Sequence, residues 1–333
     1  MPLQNSNAQP TAVWRNLLLI GVSLLAGLAL MEIAVRVMVR VFQRPPLVVS
    51  DAHAGWTGGP HLVDAVVALP GNRFRVNTDG SGRRAVRVSD SPSAQFPAVV
   101  LVGDSFVFGL TVDDHETFAA LLAEQMPDRR IVNLGVTGYG TDQQLIGLEQ
   151  FLNSIGSVNV SDVIVVVFEN DFLDVQRRFD PYLGRAKPLF RVVASTLDRG
   201  NFKLPVLDQV MDYSRLVWLL RSKLATMRGS PAINADSGAA VVLAGLGAIR
   251  RLGESHGARV HVFAHRRTTR LSSVSDSVWS AFLDRADAVD ITETFRATPE
   301  GNPIGPDGAH WNPEGHRRAA RIIQESLRSV LSR

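Results

Sequence analysis

Four separated stretches of this chain carry residue types that, brought together, would perform serine-nucleophile chemistry. The first is Val99-Val100-Leu101-Val102-Gly103-Asp104-Ser105-Phe106. Four apolar residues closed by a glycine read as a buried strand, and the Asp-Ser pair follows where an open parallel sheet collects its ligands. A serine there is either a nucleophile or an ordinary helix cap, and what separates the two is a base, an orienting acid and oxyanion donors elsewhere in the chain. Pro306-Asp307-Gly308-Ala309-His310-Trp311 offers the base and the acid. Three residues apart in a tight glycine-containing loop, the Asp307 carboxylate can reach Nδ1 of His310 and leave Nε2 facing outward. Asn133 to Gly140 contains Gly138, whose backbone N–H a ligand can approach because no Cβ intervenes. Phe168-Glu169-Asn170-Asp171 closes a run of valines and offers the Asn170 amide. Each motif is common alone, but the last two both follow buried strands, which would set them beside Ser105.

The remaining histidines fit this chemistry less well. His261 lies in a predicted strand, His265 follows among arginines, His256 sits in a turn, and His53 and His61 fall in a linker. His316, on the last helix, reads as solvated or capping. Asp104 reads as a brace for the turn that presents Ser105, with Asp307 the better orienter of His310.

The elements that must position these residues alternate. Strands are predicted at 99–103, 131–135, 163–168, 259–264 and near 288–291, and helices at 114–126, 141–155, 237–256, 275–286 and 313–331. Asp114 is the expected N-cap of the first helix, and Asn312 with Pro313 and Glu314 opens the last. Between 172 and 235 the rhythm breaks into an insertion with four prolines, a pair of short strands around 187–204 and an apolar helix over 210–227. The expected fold is α/β, a doubly wound, flavodoxin-like, three-layer parallel sheet with helices on both faces.

Upstream, Leu17 to Val35 is apolar apart from Ser23 and Glu32. About 19 residues make ~28 Å of helix, enough to cross a hydrocarbon core. This predicts a single-pass anchor; a cleaved signal peptide is the alternative, but the apolar run is longer than such peptides carry and no clear small-x-small cleavage site follows it. A tail (1–14) precedes the anchor, which with its amphipathic extension spans 15–44, and Glu32, Arg36, Arg40 and Arg44 recur every four residues. The expected partner of this segment is membrane lipid. Counted literally, Arg36, Arg40 and Arg44 against Arg15 place the following domain in the cytoplasm. A surface-lying helix can set its arginines against lipid phosphates on either side, however, and the expected location is extracytoplasmic (periplasmic). Pro45-Pro46 stops the helix, a linker and accessory segment covers 45–95 with an Asp-Gly turn at Asp79-Gly80, and the domain proper spans 96–333.

Composition excludes several classes. The chain has 333 residues, 45% hydrophobic and 20% charged, with a net charge of +3, which gives no footprint for nucleic acid. It contains no cysteine, so disulfides, zinc-thiolate sites and thiol nucleophiles fall away together. No His-Glu-x-x-His, Gly-Lys-Ser phosphate loop or Gly-x-Gly-x-x-Gly after a strand calls for a metal or an organic cofactor.

Taken together, Gly103-Asp104-Ser105-Phe106, Gly138 within Asn133 to Gly140, Asn170-Asp171 and Asp307-Gly308-Ala309-His310 resemble, in order, the four blocks of the SGNH or GDSL hydrolases. The resemblance covers about 97 to 330, and Asn77 to Arg83 resembles the turn that precedes the catalytic domain in membrane-anchored bacterial members. It implies that Ser105 attacks an ester carbonyl, that His310 is the base and Asp307 its orienter, and that the N–H of Ser105, the N–H of Gly138 and the Asn170 amide form the oxyanion hole. Glu169 stands where the family often has glycine, so Glu169 and Trp311, flanking Asn170 and His310, are the expected substrate contacts. The implied activity is an esterase or deacylase removing O-acetyl groups from an envelope or exported glycan, without metal or cofactor. An O-acetyltransferase using the same triad is the alternative. A non-enzymatic glycan-binding protein on this scaffold would lack a triad residue, and none is missing here.

Overall fold

Runs of valine and isoleucine stiff at χ1 favour pleated, two-sided burial, and here they pair into one parallel sheet. The computed structural model describes residues 10–41, 47–69, 71–86, 96–156, 158–228, 235–267, 274–296 and 301–331. The strands are β1 (Ala98–Val102), β2 (Arg130–Asn133), β3 (Val160–Phe168), β4 (Arg259–His265) and β5 (Ala288–Asp290). Their order is β5-β4-β3-β1-β2, every pairing parallel. This is the flavodoxin-like doubly wound order, and its switch point lies between β1 and β3, the strands that precede Ser105 and Asn170.

The helices are α1 (Pro10–Val41), α2 (Phe118–Gln125), α3 (Thr141–Ser154), α4 (Val206–Tyr213), α5 (Arg215–Arg228), α6 (Ala235–Ser255), α7 (Asp276–Ala286) and α8 (Pro313–Leu331). Alternate side chains of each strand serve opposite faces. Val99, Leu101, Ile164 and Val166 pack with α2 and α8, whereas Val100, Val102, Val163 and Val165 pack with α3, α6 and α7. The three-layer expectation therefore holds.

Three expectations are corrected. Asp114 does not cap the first helix of the domain. That helix begins at Phe118, and Thr117 Oγ1 accepts the Ala120 N–H at 3.2 Å. Asp114 is drawn away because it is buried against the guanidinium of Arg84 (2.8 Å), a stronger partner than a helix N–H. The stretch read as linker up to about residue 70 forms strands within the accessory segment: Val48–Asp51 pairs with Gly55–Gly58 and Ala65–Leu69 with Asn72–Val76, and Trp56, Phe74 and Val76 are buried. The helix expected at 210–227 is two, α4 and α5, broken at Ser214. Ser214 ends α4 with its N–H on Val210, and its Oγ accepts the Val217 N–H of α5 at 3.1 Å.

Within α1, Val13–Met38 is long and apolar enough to cross a membrane. Residues 1–9 of the tail, Arg44 and Pro45-Pro46 lie outside the described residues, as does the side chain of Arg40.

Candidate active site

Ser105 opens a single helical turn, Ser105–Phe108, directly after β1. Asp104 caps it, Oδ1 accepting the Phe106 N–H at 2.9 Å. The turn tucks against β2 because two glycines leave room. A Cβ on Gly103 would lie 2.2 Å from Val107 Cγ2, and one on Gly135 would lie 2.2 Å from the Phe108 nitrogen. Asn133 Nδ2 donates to the Val107 carbonyl at 2.8 Å, tying the turn to β2.

The loop before α8 brings His310 to the same point. Asp307 Oδ1 accepts the N–H groups of Ala309 and His310, both at 3.0 Å, and Gly308 takes a left-handed φ of 72° to close the turn. With one carboxylate oxygen committed to the backbone, the other faces the ring: His310 Nδ1 lies 2.6 Å from Asp307 Oδ2. His310 Nε2 lies 2.8 Å from Ser105 Oγ. Burial works to raise the Asp307 pKa, but the hydrogen bonds from His310 and from the Ala309 N–H outweigh it, and the pKa falls to about 2. Phe106 supports the His310 ring with centroids 5.0 Å apart. The chain thus places a hydroxyl, an imidazole and an ionised carboxylate in one line, an arrangement that can deprotonate the serine as it attacks an electrophile.

The serine and histidine loops are also tied beneath this line. Thr111, buried at φ 92°, donates its hydroxyl to the Trp311 carbonyl at 2.8 Å. A β-branched residue in the left-handed region costs energy that the surrounding structure must hold. Neither Thr111 nor Arg84 stands out in the sequence. Arg84 is buried, pairs with Asp114, and donates to the carbonyls of Phe108 (3.0 Å), Gly109 and Val112 (2.7 Å), so it fixes the backbone that follows Ser105. Arg84 follows Arg83 in the sequence, and nothing local marks it as the partner of an aspartate thirty residues later. Arg84→Ala would leave Asp114 buried without its cation, and the expected loss is about 3–5 kcal/mol, read as a lowered urea midpoint with unchanged slope.

Of the oxyanion candidates, Gly138 has a left-handed φ of 80° and lies under the insertion, where a Cβ would meet Asp180 Oδ2 and Leu183 Cδ1 at 3.2 Å. Among the described residues no acceptor takes the N–H of Ser105 or of Gly138. Asn170 differs from expectation. Its Nδ2 donates to Asp174 Oδ2 at 2.9 Å and to Asp104 Oδ2 at 3.3 Å, so the amide is engaged by two carboxylates while Oδ1 is buried with no hydrogen-bond partner. Those acids sit in a buried group with Asp171. Burial pushes the Asp104 and Asp171 carboxyls up, the latter further raised by Asp104 and Asp174, and pushes Asp174 up to about 7 against the pull of Arg177 and Lys187.

The two expected substrate contacts are corrected. Trp311 is buried under the site, its ring stacked on Phe295 at 4.5 Å and its Nε1 donating to His265 Nδ1 at 3.3 Å, so it is core. Glu169 is also buried, 3.8 Å from Arg267, and its backbone continues β3 by donating its N–H to the His265 carbonyl of β4 at 3.1 Å. His316 is not solvated: it is buried, and its Nδ1 accepts the Phe118 N–H at 3.2 Å, capping α2 from α8. Burial drives His265 and His316 down to about 3, leaving both neutral and unable to act as bases near neutrality. A cavity of about 420 Å³ bounded by His53, Glu149, Phe190 and Arg199, and another of about 190 Å³ bounded by Arg83, Gly135 and Phe151, lie away from Ser105 and His310.

No protein-family model and no curated protein matches the chain. Among solved structures it is similar to TesA, at 15% identity over 69% of this chain and 97% of that one, with a TM-score of 0.40. It is similar to the psychrotrophic esterase EstA from Pseudoalteromonas sp., in a structure inhibited by monoethylphosphonate, at 12% identity over 71% and 99% with a TM-score of 0.42. A third is AlinE4, an SGNH-hydrolase family esterase, at 15% identity over 71% and 97% with a TM-score of 0.34.

Proposed function

We propose that this protein is a serine ester hydrolase that uses Ser105 as nucleophile, His310 as general base and Asp307 as the group that orients it. The observation that carries this reading is the unbroken line Ser105 Oγ, His310 Nε2, His310 Nδ1, Asp307 Oδ2, with hydrogen-bond distances of 2.8 and 2.6 Å. Ser105 Oγ bonds to the ester carbonyl carbon as His310 Nε2 takes its proton. The tetrahedral intermediate then expels the alkoxide, which leaves with that proton as an alcohol, and water repeats the sequence to free the acid. The partners we assign to the developing oxyanion are the N–H groups of Ser105 and Gly138, which no acceptor takes among the described residues. The Asn170 amide joins them through the hydrogen held by the long 3.3 Å bond to Asp104. Asn170→Ala is therefore expected to lower kcat on the order of 100-fold with little change in KM, whereas a change within a few fold would leave Asn170 as a brace for Asp104 alone.

The substrate we assign is an O-acetyl ester on an envelope or exported glycan, reached by a domain held at the membrane through α1 on its extracytoplasmic side. Support for the side comes from Arg36, which is bonded to Glu32 (2.7 Å) and to the Tyr213 carbonyl, so it is not a free flanking charge of the kind that sets orientation. A C-terminal alkaline phosphatase fusion should be active and a fluorescent-protein fusion dark; the reverse pattern overturns the side. Incubating the purified protein with p-nitrophenyl acetate, with and without an acetylatable oligosaccharide, tests the reaction. Release of acetate supports hydrolysis, and acetyl groups appearing on the sugar would assign transfer instead.

A further inference from the structure

Helix α4 buries Met211 but otherwise departs from a helix that faces water, exposing Gln209 among apolar side chains and turning its acids inward. A surface helix buries its apolar stripe and exposes its charges. In α4 both acids point inward: Asp208 accepts the Ala186 N–H at 2.7 Å and pairs with Arg221, and Asp212 accepts the Ser50 N–H at 2.9 Å and pairs with Arg185. The outward side carries Val206, Leu207, Val210 and Tyr213, with Val206 74% and Tyr213 80% exposed. On α5, Leu220, Leu224 and Met227 are exposed as well.

This apolar surface is bonded to the membrane-length helix. Glu32 of α1 accepts the Ser214 hydroxyl (2.8 Å) and the N–H groups of Arg215 (2.9 Å) and Leu216 (3.0 Å), so its carboxylate caps α5 at the helix's positive end. Arg36, one turn later, donates to the Tyr213 carbonyl. These two residues therefore serve the insertion, where the sequence had suggested a surface-lying extension. The position along α1 matters. From Trp14, 72% exposed at one end, to Glu32 is ~27 Å of helix, close to the thickness of a hydrocarbon core of about 30 Å. Trp14 and Tyr213 then stand at the two boundaries where amphipathic aromatic rings settle.

We propose that the α4–α5 corner is a second membrane-contact element, lying in the lipid–water boundary beside α1 with Val206, Val210 and Tyr213 against lipid. Its occupant is the bilayer that α1 crosses, because Glu32 and Arg36 bond the corner to that helix at the end of its membrane-length apolar run. The consequence is a fixed orientation. One anchor lets a domain swivel, but a corner pinned at Glu32 sets the insertion, and through Asp180 and Leu183 the loop of Gly138, at one height over the membrane. The inference does not depend on the esterase reading.

The absence of cysteine makes the test direct. The full chain carrying a single Val206→Cys, Val210→Cys or Tyr213→Cys, labelled with the environment-sensitive dye NBD, is reconstituted in vesicles of equal parts phosphatidylcholine and phosphatidylglycerol. Glu254→Cys, exposed near the end of α6, is the control. The three corner probes should shift to the blue, lose emission to a shallow doxyl-labelled lipid and resist aqueous iodide, while the control does the opposite. Quenching of the corner probes by iodide would show that the face meets water and overturn the proposal. Protection from both quenchers would place a second protein copy there and overturn it equally.

Discussion

Ser105→Ala is expected to lower turnover of p-nitrophenyl acetate by about 10⁴-fold or more while the protein remains folded. The chemical half of this expectation follows from the line of hydrogen bonds: with Oγ gone, His310 has no hydroxyl to deprotonate and the acyl-enzyme cannot form. The structural half follows from what Oγ does not do. The turn that presents Ser105 is held by Asp104, by Asn133 and by Arg84, and among the described residues Oγ itself bonds only to His310. The His310 side chain is 20% exposed, so water can reach the lost partner's place, and the stability change should stay at about 1 kcal/mol. A fluorophosphonate should label the native protein on the Ser105 peptide and leave the variant unlabelled. Turnover retained in Ser105→Ala would move the nucleophile elsewhere and remove the proposed function with it.

What could be read from residues alone was whatever is local. Strand identity followed from unbroken valine runs, and the start of α8 followed from Asn312, whose Oδ1 accepts the Gly315 N–H at 3.0 Å as a cap should. The pairing of Asp307 with His310 was legible for the same reason, since both partners sit within one turn. The corrections share the opposite property. Asp114 reads as a cap of the nearest helix because nothing local points to Arg84, thirty residues away. Trp311 reads as a substrate contact from its place beside His310, but the residue after the base goes into the core against Phe295. The hairpins of 47–76 were hidden because Gly, Pro and His read as linker composition, whereas their order comes from burying Trp56 and Phe74 on the domain. Asn170 combines both cases. Its position at the end of β3 was visible, but the engagement of its amide by Asp174 depends on a turn whose buried acids no spacing rule describes.

Asp307→Asn separates orientation of the base from its mere presence, and kcat is expected to fall by about 10⁴-fold with KM little changed. The reason lies in how the loop holds residue 307. One oxygen already accepts the N–H groups of Ala309 and His310, so an asparagine keeps its carbonyl there and must turn its amide nitrogen toward His310 Nδ1. That nitrogen is a donor, and Nδ1 becomes the acceptor. The ring proton then resides on Nε2, which faces Ser105 Oγ with a hydrogen instead of a lone pair, and the imidazolium that forms during attack loses its counter-charge. In the native chain Asp307 stays ionised down to about 2, so the counter-charge is present throughout the neutral range. A carboxyl whose folded pKa is depressed contributes stability that is present above the unfolded value of 3.8 and lost as pH falls toward 2. Urea midpoints measured across that window should therefore drop less steeply in Asp307→Asn than in the native chain. Equal slopes would mean that Asp307 gains nothing from His310 in the folded state, and the orienting role would fail with them.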